Sequence, residues 1–221
     1  MTYTVGLVRV LTIKDEEKLN LHGRIIERTF PELRVISRCI EDQPKGIYDL
    51  RSEEIAKPKI LKLIAEFQAL DVDAVIISCA GDPAVSEARK IFKIPIIGAG
   101  SASASLALAY GERIGVIKLT KEVPEIIKKI LGPHLIAEEH PENVHNTVDL
   151  MGKEGITASI NALRRLLEYD VEVIVLACTG FTTISFKKLA KEITSTPVID
   201  PVLAAGATTL SILRQGSEVS I

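Results

Sequence analysis

Residues 71–81 and 170–180 are near-copies of one another. The first segment reads Asp71-Val-Asp-Ala-Val-Ile-Ile-Ser-Cys79-Ala-Gly81, the second Asp170-Val-Glu-Val-Ile-Val-Leu-Ala-Cys178-Thr-Gly180. Two further pairs fall in the same order: Val5-Gly-Leu-Val8 with Ile114-Gly-Val-Ile117, and Pro95-Ile-Ile97 with Pro197-Val-Ile199. Three echoes in one order, each about 100 residues apart, point to an internal duplication. A chain of 221 residues then suits two units of about 100 residues each.

Within the first unit, β-branched runs alternate with amphipathic stretches. Strands are expected at Thr4–Leu11, Leu33–Ile40, Asp73–Ser78 and Ile94–Gly98. Helices are expected at Asp15–Phe30, Ser52–Leu70 and from Asp82-Pro83 to Phe92. The order βαβαβαβ signals a parallel sheet with right-handed crossovers. Aromatics are 4% and Trp is absent, so an aliphatic core is expected, as suits parallel strands covered on both faces. The expected architecture is α/β: two pseudo-symmetric halves, each a parallel four-stranded sheet flanked by helices. The first half takes residues 1–100, the second 101–202, and the apolar helical stretch 203–221 is expected to cross back to the first.

Lys and Arg number 27 against 29 Asp and Glu. With no basic surplus, neither nucleic acid nor an anionic membrane surface is an expected partner. No window approaches the length of apolar chain a membrane span needs. The N-terminal residues reach charge too soon for a secretory signal, so a cytoplasmic location is expected. Three cysteines make no disulfide framework. No CxxC, HExxH or zinc-like His/Cys spacing occurs, so no metal is expected.

Cys79 and Cys178 each end a buried strand, and in open α/β sheets ligands bind at the carboxyl ends of strands. Asp82 and Pro83 look like the N-cap and first residue of the next helix, and a Thr after Cys178 can cap likewise. A helix N-terminus facing each sulfur would lower its pKa and populate thiolate near neutrality. Gly81 and Gly180 let the backbone approach a ligand or take positive φ. The turns Ala80–Asp82 and Thr179–Gly180 can then offer N–H groups to a carboxylate or a developing oxyanion. A duplicated fold would set the two thiols across one cleft, where one removes a Cα proton and the other delivers one to the opposite face. Cys39, without a counterpart, reads as a packing residue.

Other residues are weighed beside these. Arg9 ends an apolar strand and would grip a carboxylate or form a structural ion pair. Thr120 would donate to substrate or cap the helix near Val123. Gly98-Ala-Gly100-Ser-Ala-Ser103 lacks the third glycine of a dinucleotide loop and reads as a tight turn into a small-residue helix. Ser101 or Ser103 remains within reach of a ligand at the cleft edge. His140 and His145 read as surface residues.

At Ser78-Cys79-Ala80-Gly81-Asp82-Pro83, Ala177-Cys178-Thr179-Gly180 and the two Pro-x-Ile segments, the sequence resembles the aspartate/glutamate/hydantoin racemase superfamily over most of its length. The first motif is most similar to the hydantoin and allantoin racemase branch. The resemblance implies two flavodoxin-like halves, no pyridoxal phosphate or metal, and catalytic roles for Cys79 and Cys178. It implies a cofactor-independent racemase of a hydantoin-like compound or an acidic amino acid, with a homodimer or higher homo-oligomer as the expected assembly. Two other functions stay open. One is a maleate-isomerase- or decarboxylase-like enzyme with a single nucleophilic or proton-donating cysteine. The other is a non-catalytic binder of small carboxylates, which inert, high-pKa thiols would mark.

Overall fold

A computed structural model of the chain describes residues 1–218; residues 219–221, the end of the stretch expected to cross back, lie outside the described residues. The first half runs β1 (Tyr3–Arg9), α1 (Glu16–Thr29), β2 (Leu33–Cys39), α2 (Leu50–Ala69), β3 (Ala74–Ser78), α3 (Val85–Ile91), β4 (Ile96–Gly98) and α4 (Ala99–Leu108). The second runs β5 (Ile114–Lys118), α5 (Glu125–Leu131), β6 (Leu135–Glu139), α6 (Thr147–Leu150), α7 (Lys153–Leu166), β7 (Val173–Ala177), α8 (Gly180–Thr183), α9 (Phe186–Lys191), β8 (Val198–Ile199) and α10 (Pro201–Glu218). Each half holds a four-stranded parallel sheet, in the orders β2-β1-β3-β4 and β6-β5-β7-β8. In each, the chain reverses direction across the sheet between the first and third strands, which opens a crevice at their carboxyl ends.

The echoed glycines have a packing reason. Gly6 of β1 pairs with Val75 and Gly115 of β5 with Ile174, at matching places in the two sheets. A Cβ on Gly6 would lie 2.5 Å from the ring of Phe67 in α2. A Cβ on Gly115 would lie 3.0 Å from Leu166 of α7 and from Val171. Each glycine lets a crossover helix sit close on its sheet.

The core has three parts. One, built from β1, β3, β4, α2 and α3, serves the outer face of the first sheet, and one, built around α7 and α9, that of the second. The third is shared: Val5, Leu7 and Ile76 join Ile114, Val116 and Val175 through the alanines of α4 and of α10. α4 packs on α10, α5 and β7, and α10 also meets α1 and β3. The small residues of Ala99–Ala104 and Ala204–Gly206 permit this close helix approach. The core is aliphatic in the main, but Phe67, Phe181 and Phe186 are among its largest fully buried side chains. Among the described residues no helix is long and apolar enough to cross a membrane.

Gly6→Ala is expected to destabilise the fold by about 1–3 kcal/mol through overpacking against Phe67. Gly115→Ala, which meets only movable side-chain ends, is expected to cost less. Urea denaturation of the two variants checks the order.

Candidate active site

The two sheets turn their carboxyl ends toward one cavity of about 730 Å³. The strand-end segments Arg9–Leu11, Ser78–Gly81, Leu119–Glu125 and Ala177–Gly180 line it, with Thr147, Thr183 and the loop Gly46–Arg51. Gln43 holds that loop by donating from Nε2 to the carbonyls of Gly46 (3.2 Å) and Ser52 (2.9 Å). Asp49 and Ser52 form a capping box that starts α2 at the cavity rim.

Cys79 and Cys178 both line this cavity, one from each half. Both are free thiols and half-buried. The Gly180 N–H donates to Cys178 Sγ at 3.3 Å, and the Gly81 N–H and the Thr147 hydroxyl play the same part for Cys79 and Cys178 respectively. Yet desolvation wins. Burial pushes the Cys79 thiol up to about 12, with the charge of Cys178 adding to the rise. Burial pushes Cys178 up to about 11. Burial thus favours the thiol form of both sulfurs at neutral pH.

This overturns the expected lowering by helix dipoles, and the backbone shows why. Asp82 does not cap the helix after Cys79. It and Ala84 take left-handed conformations (φ 51° and 60°), and α3 begins only at Val85, with no side-chain cap. A left-handed Ser185 (φ 54°) precedes α9 in the second half. Only the single turn α8 follows its cysteine directly, and its N–H groups soften the rise at Cys178 without reversing it.

Asp82 turns instead to the other side of the loop. Its carboxylate accepts from the N–H groups of Gly100 (2.6 Å) and Ser101 (2.9 Å), which caps α4. It is not in the cavity wall, which corrects its expected part in substrate binding. A Cβ on Gly98 would lie 2.0 Å from the Asp82 carboxylate, and one on Gly100 2.0 Å from the Ala80 carbonyl. The Gly98–Ser103 segment is thus a seat for the Cys79 loop. Ser101 and Ser103 donate to the carbonyls of Gly98 and Gly100 and do not reach the cavity. The second half makes the same tie with the residues exchanged. Asp200, next to α10, accepts from the Val202 and Leu203 N–H groups and from Thr182 Oγ1 in the loop after Cys178. Burial pushes both the Asp82 and Asp200 carboxyls up, against these hydrogen bonds.

The remaining expected residues line the cavity, but several donors are already committed. Ala80 is buried. Neither Gly81 nor Gly180 has positive φ. Gly81 faces open space apart from its own cysteine, whereas a Cβ on Gly180 would crowd Leu150 (2.9 Å) and Thr147 (3.0 Å). The Gly180 N–H, expected to meet a substrate oxygen, serves Cys178. Thr179 Oγ1 donates to the Ser78 carbonyl at 3.0 Å across the two halves, and Thr120 Oγ1 to the Glu122 carbonyl at 2.7 Å. Thr120 does not cap α5, whose N-cap is Pro124.

Arg9 is 6% exposed. Its Nη1 donates to the carbonyls of Lys18 (2.9 Å) and Leu19 (3.2 Å) in α1, and burial lowers its pKa to about 10. Among the described residues no carboxylate pairs with it. At the matching end of β5, Lys118 is also buried but meets Glu138 at 2.5 Å. The first half therefore brings an uncompensated cation to the cavity wall. His140 and His145 are exposed. Cys39 lies beside Ile13, outside the cavity wall.

Sequence reasoning missed Thr147, the partner of Cys178. The signal available was Asn146, whose side chain accepts from Val148 and Asp149 to start α6. It also missed His22, which is fully buried between the halves. Its Nδ1 lies 2.8 Å from Ser78 Oγ and its Nε2 2.9 Å from Thr183 Oγ1. Among the described residues no group of three His, Cys, Asp or Glu side chains converges as a metal set would.

Comparison with known proteins adds an independent finding. Residues 24–209 match the family model described as Asp/Glu/Hydantoin racemase. A hydantoin racemase of Rhizobium meliloti is 30% identical over 189 residues, covering 81% of this chain and 76% of that protein. Allantoin racemase from Klebsiella pneumoniae superposes with a TM-score of 0.84 at 23% identity, covering 97% of this chain and 89% of that one. A glutamate racemase from Bacillus anthracis superposes with a TM-score of 0.74 at 17% identity, covering 97% and 82%.

The raised thiol pKa values carry a sign. Alkylation needs thiolate, so in the ligand-free protein the rates at Cys79 and Cys178 are expected to climb about tenfold per pH unit from pH 7 to 10 with no plateau. Iodoacetamide labelling read peptide by peptide checks this; a plateau below pH 9 at either cysteine would contradict it.

Proposed function

This chain belongs to the Asp/Glu/hydantoin racemase family, and from that premise we propose that it interconverts enantiomers by passing protons between Cys79, Cys178 and a substrate Cα held between them. Membership makes it an isomerase acting on amino-acid derivatives. The observation that supports the mechanism is that Cys79 and Cys178 follow equivalent strands, one in each half, and both line one cavity.

In the proposed step one sulfur, as thiolate, takes the Cα proton, and the bonding pair passes into the adjoining carbonyl. The opposite sulfur, as thiol, gives its proton to the other face of the carbon. The first sulfur ends as thiol and the second as thiolate, so protons and charge balance, and the reverse reaction exchanges the roles. High thiol pKa values would also suit inert cysteines. Here they suit a base: a thiolate whose conjugate acid has a pKa near 11 or 12 is a stronger base toward a carbon acid than an ordinary cysteine. The cost is scarcity, because thiol dominates at neutral pH.

We take the substrate to be a hydantoin-like ring in preference to a free acidic amino acid. The Rhizobium meliloti relative is named for that substrate class. The Cα proton of such a ring is more acidic than that of a free amino acid, which a scarce thiolate needs. A cavity of about 730 Å³ is in the range of small-molecule sites. Its wall carries apolar Leu11, Ile47, Leu119 and Val123, and Arg9 offers a buried cation to a ring oxygen. A homodimer in the cytoplasm completes the proposal, supported by the general frequency of closed homodimers and by three free thiols.

Cys79→Ala and Cys178→Ala are each expected to reduce racemisation by about a thousandfold or more. The check is loss of optical rotation of 5-methylhydantoin, 5-benzylhydantoin, allantoin, aspartate and glutamate, in D2O, with deuterium appearing at Cα. Full activity in either variant would remove that cysteine from the mechanism. Arg9→Met is expected to raise KM about 10- to 100-fold, the loss of one charge-assisted hydrogen bond. An unchanged KM would assign Arg9 to α1 alone.

A further inference from the structure

His22 does not line the cavity, and the thiol chemistry makes no use of it. It is nevertheless a polar group that joins the two cysteine-bearing turns. Ser78 directly precedes Cys79, and Thr183 closes the single turn that follows Cys178. Both residues line the cavity, and the imidazole stands between their hydroxyls at 2.8 and 2.9 Å. Thr179 adds a parallel tie by donating to the Ser78 carbonyl.

Burial, aided by the nearby Arg9 guanidinium, holds the imidazole well below its ordinary range, so it is neutral. A neutral imidazole has one N–H and one bare nitrogen. One hydroxyl must give its proton to the bare nitrogen. The other accepts from the N–H and keeps its own proton free. At any moment one of the two cleft hydroxyls, on one wall, is thus released as a donor. The other tautomer releases the hydroxyl on the opposite wall, with no change in charge. A racemase carries its reaction across the cleft in both directions, so a donor that can stand on either wall fits its symmetry.

We propose that His22 is a positioning residue: it sets the spacing of the Cys79 and Cys178 turns and decides whether Ser78 or Thr183 donates to the substrate oxygen that gains charge as the Cα proton leaves. A donor aimed at developing charge acts mainly on kcat, whereas a general loosening of the fold would lower thermal stability and raise KM as well. The inference rests on the reading of this cavity as the active site.

The test is steady-state racemisation of 5-benzylhydantoin in both directions, with glutamate as the probe should only the amino acid turn over. His22→Phe keeps a ring in place and removes both hydrogen bonds. It is expected to lower kcat about 10- to 100-fold with KM within about threefold of the parent. The Ser78→Ala, Thr183→Val double variant, which leaves the imidazole in place, is expected to show a similar loss. Adding His22→Phe to it is expected to cost little more, because the three groups act as one unit. Should His22→Phe fail to fold, the double variant carries the same expectation alone. A kcat within twofold of the parent in either folded variant, or a triple variant whose losses multiply, overturns the inference. Full activity in both cysteine-to-alanine variants would instead remove the site on which it rests.

Discussion

Ser78 is where the two halves hold one another. Its carbonyl accepts from Thr179 of the second half, and its hydroxyl reaches Thr183 of that half through His22. His22, Ser78 and Thr179 are buried, so their polar groups must find partners inside the protein or cost the fold dearly. That requirement fixes how the two sheets face each other more sharply than apolar packing does, because hydrogen bonds are directional. The cavity, the approach of the two sulfurs and the reach of Arg9 all follow from this seam. The shared layer of α4 and α10 supplies the area that keeps it closed.

The two halves share one frame, with sheet orders β2-β1-β3-β4 and β6-β5-β7-β8, and differ in detail. Both halves must tie the loop after their cysteine to the helix after their fourth strand. The first does so with Asp82 from the loop, the second with Asp200 from the helix start and Thr182 from the loop. The strand-end cations diverge in the same way. Lys118 is matched by Glu138, while among the described residues Arg9 has no carboxylate partner and donates to helix carbonyls. A pseudo-symmetric scaffold thus presents a substrate with two equivalent thiols and one unmatched charge. In the proposed mechanism the thiols suit a reaction that is symmetric, and the charge suits a molecule that is not.

Desolvation sets the chemistry of the site. The N–H groups of Gly81 and Gly180 do turn toward the sulfurs, as charge stabilisation would require. In a largely apolar cleft they offset only part of the cost of a buried thiolate. The consequence is a pair of sulfurs held as thiols. In the proposed mechanism their rare thiolates act as strong bases, on a carbon acid that is itself acidic enough.

The sequence alone determined the two parallel α/β halves and the placement of Cys79 and Cys178 at strand ends. These are written in local periodicity and in repeated segments, which survive without knowledge of neighbours. It also carried the glycines at 6 and 115, although their reason, the seating of Phe67 and Leu166, required the packed helices. Tertiary structure decided the rest. Asp82-Pro83 is locally a good helix start, yet Asp82 caps α4, eighteen residues on, because the fold brings those bare N–H groups to it. Thr179 and the Gly180 N–H look free in the sequence but are consumed by Ser78 and Cys178. His22 carried no local signal at all. Its partners lie 56 and 161 residues away, and burial and pairing over such distances are properties of the folded chain, not of any stretch of it.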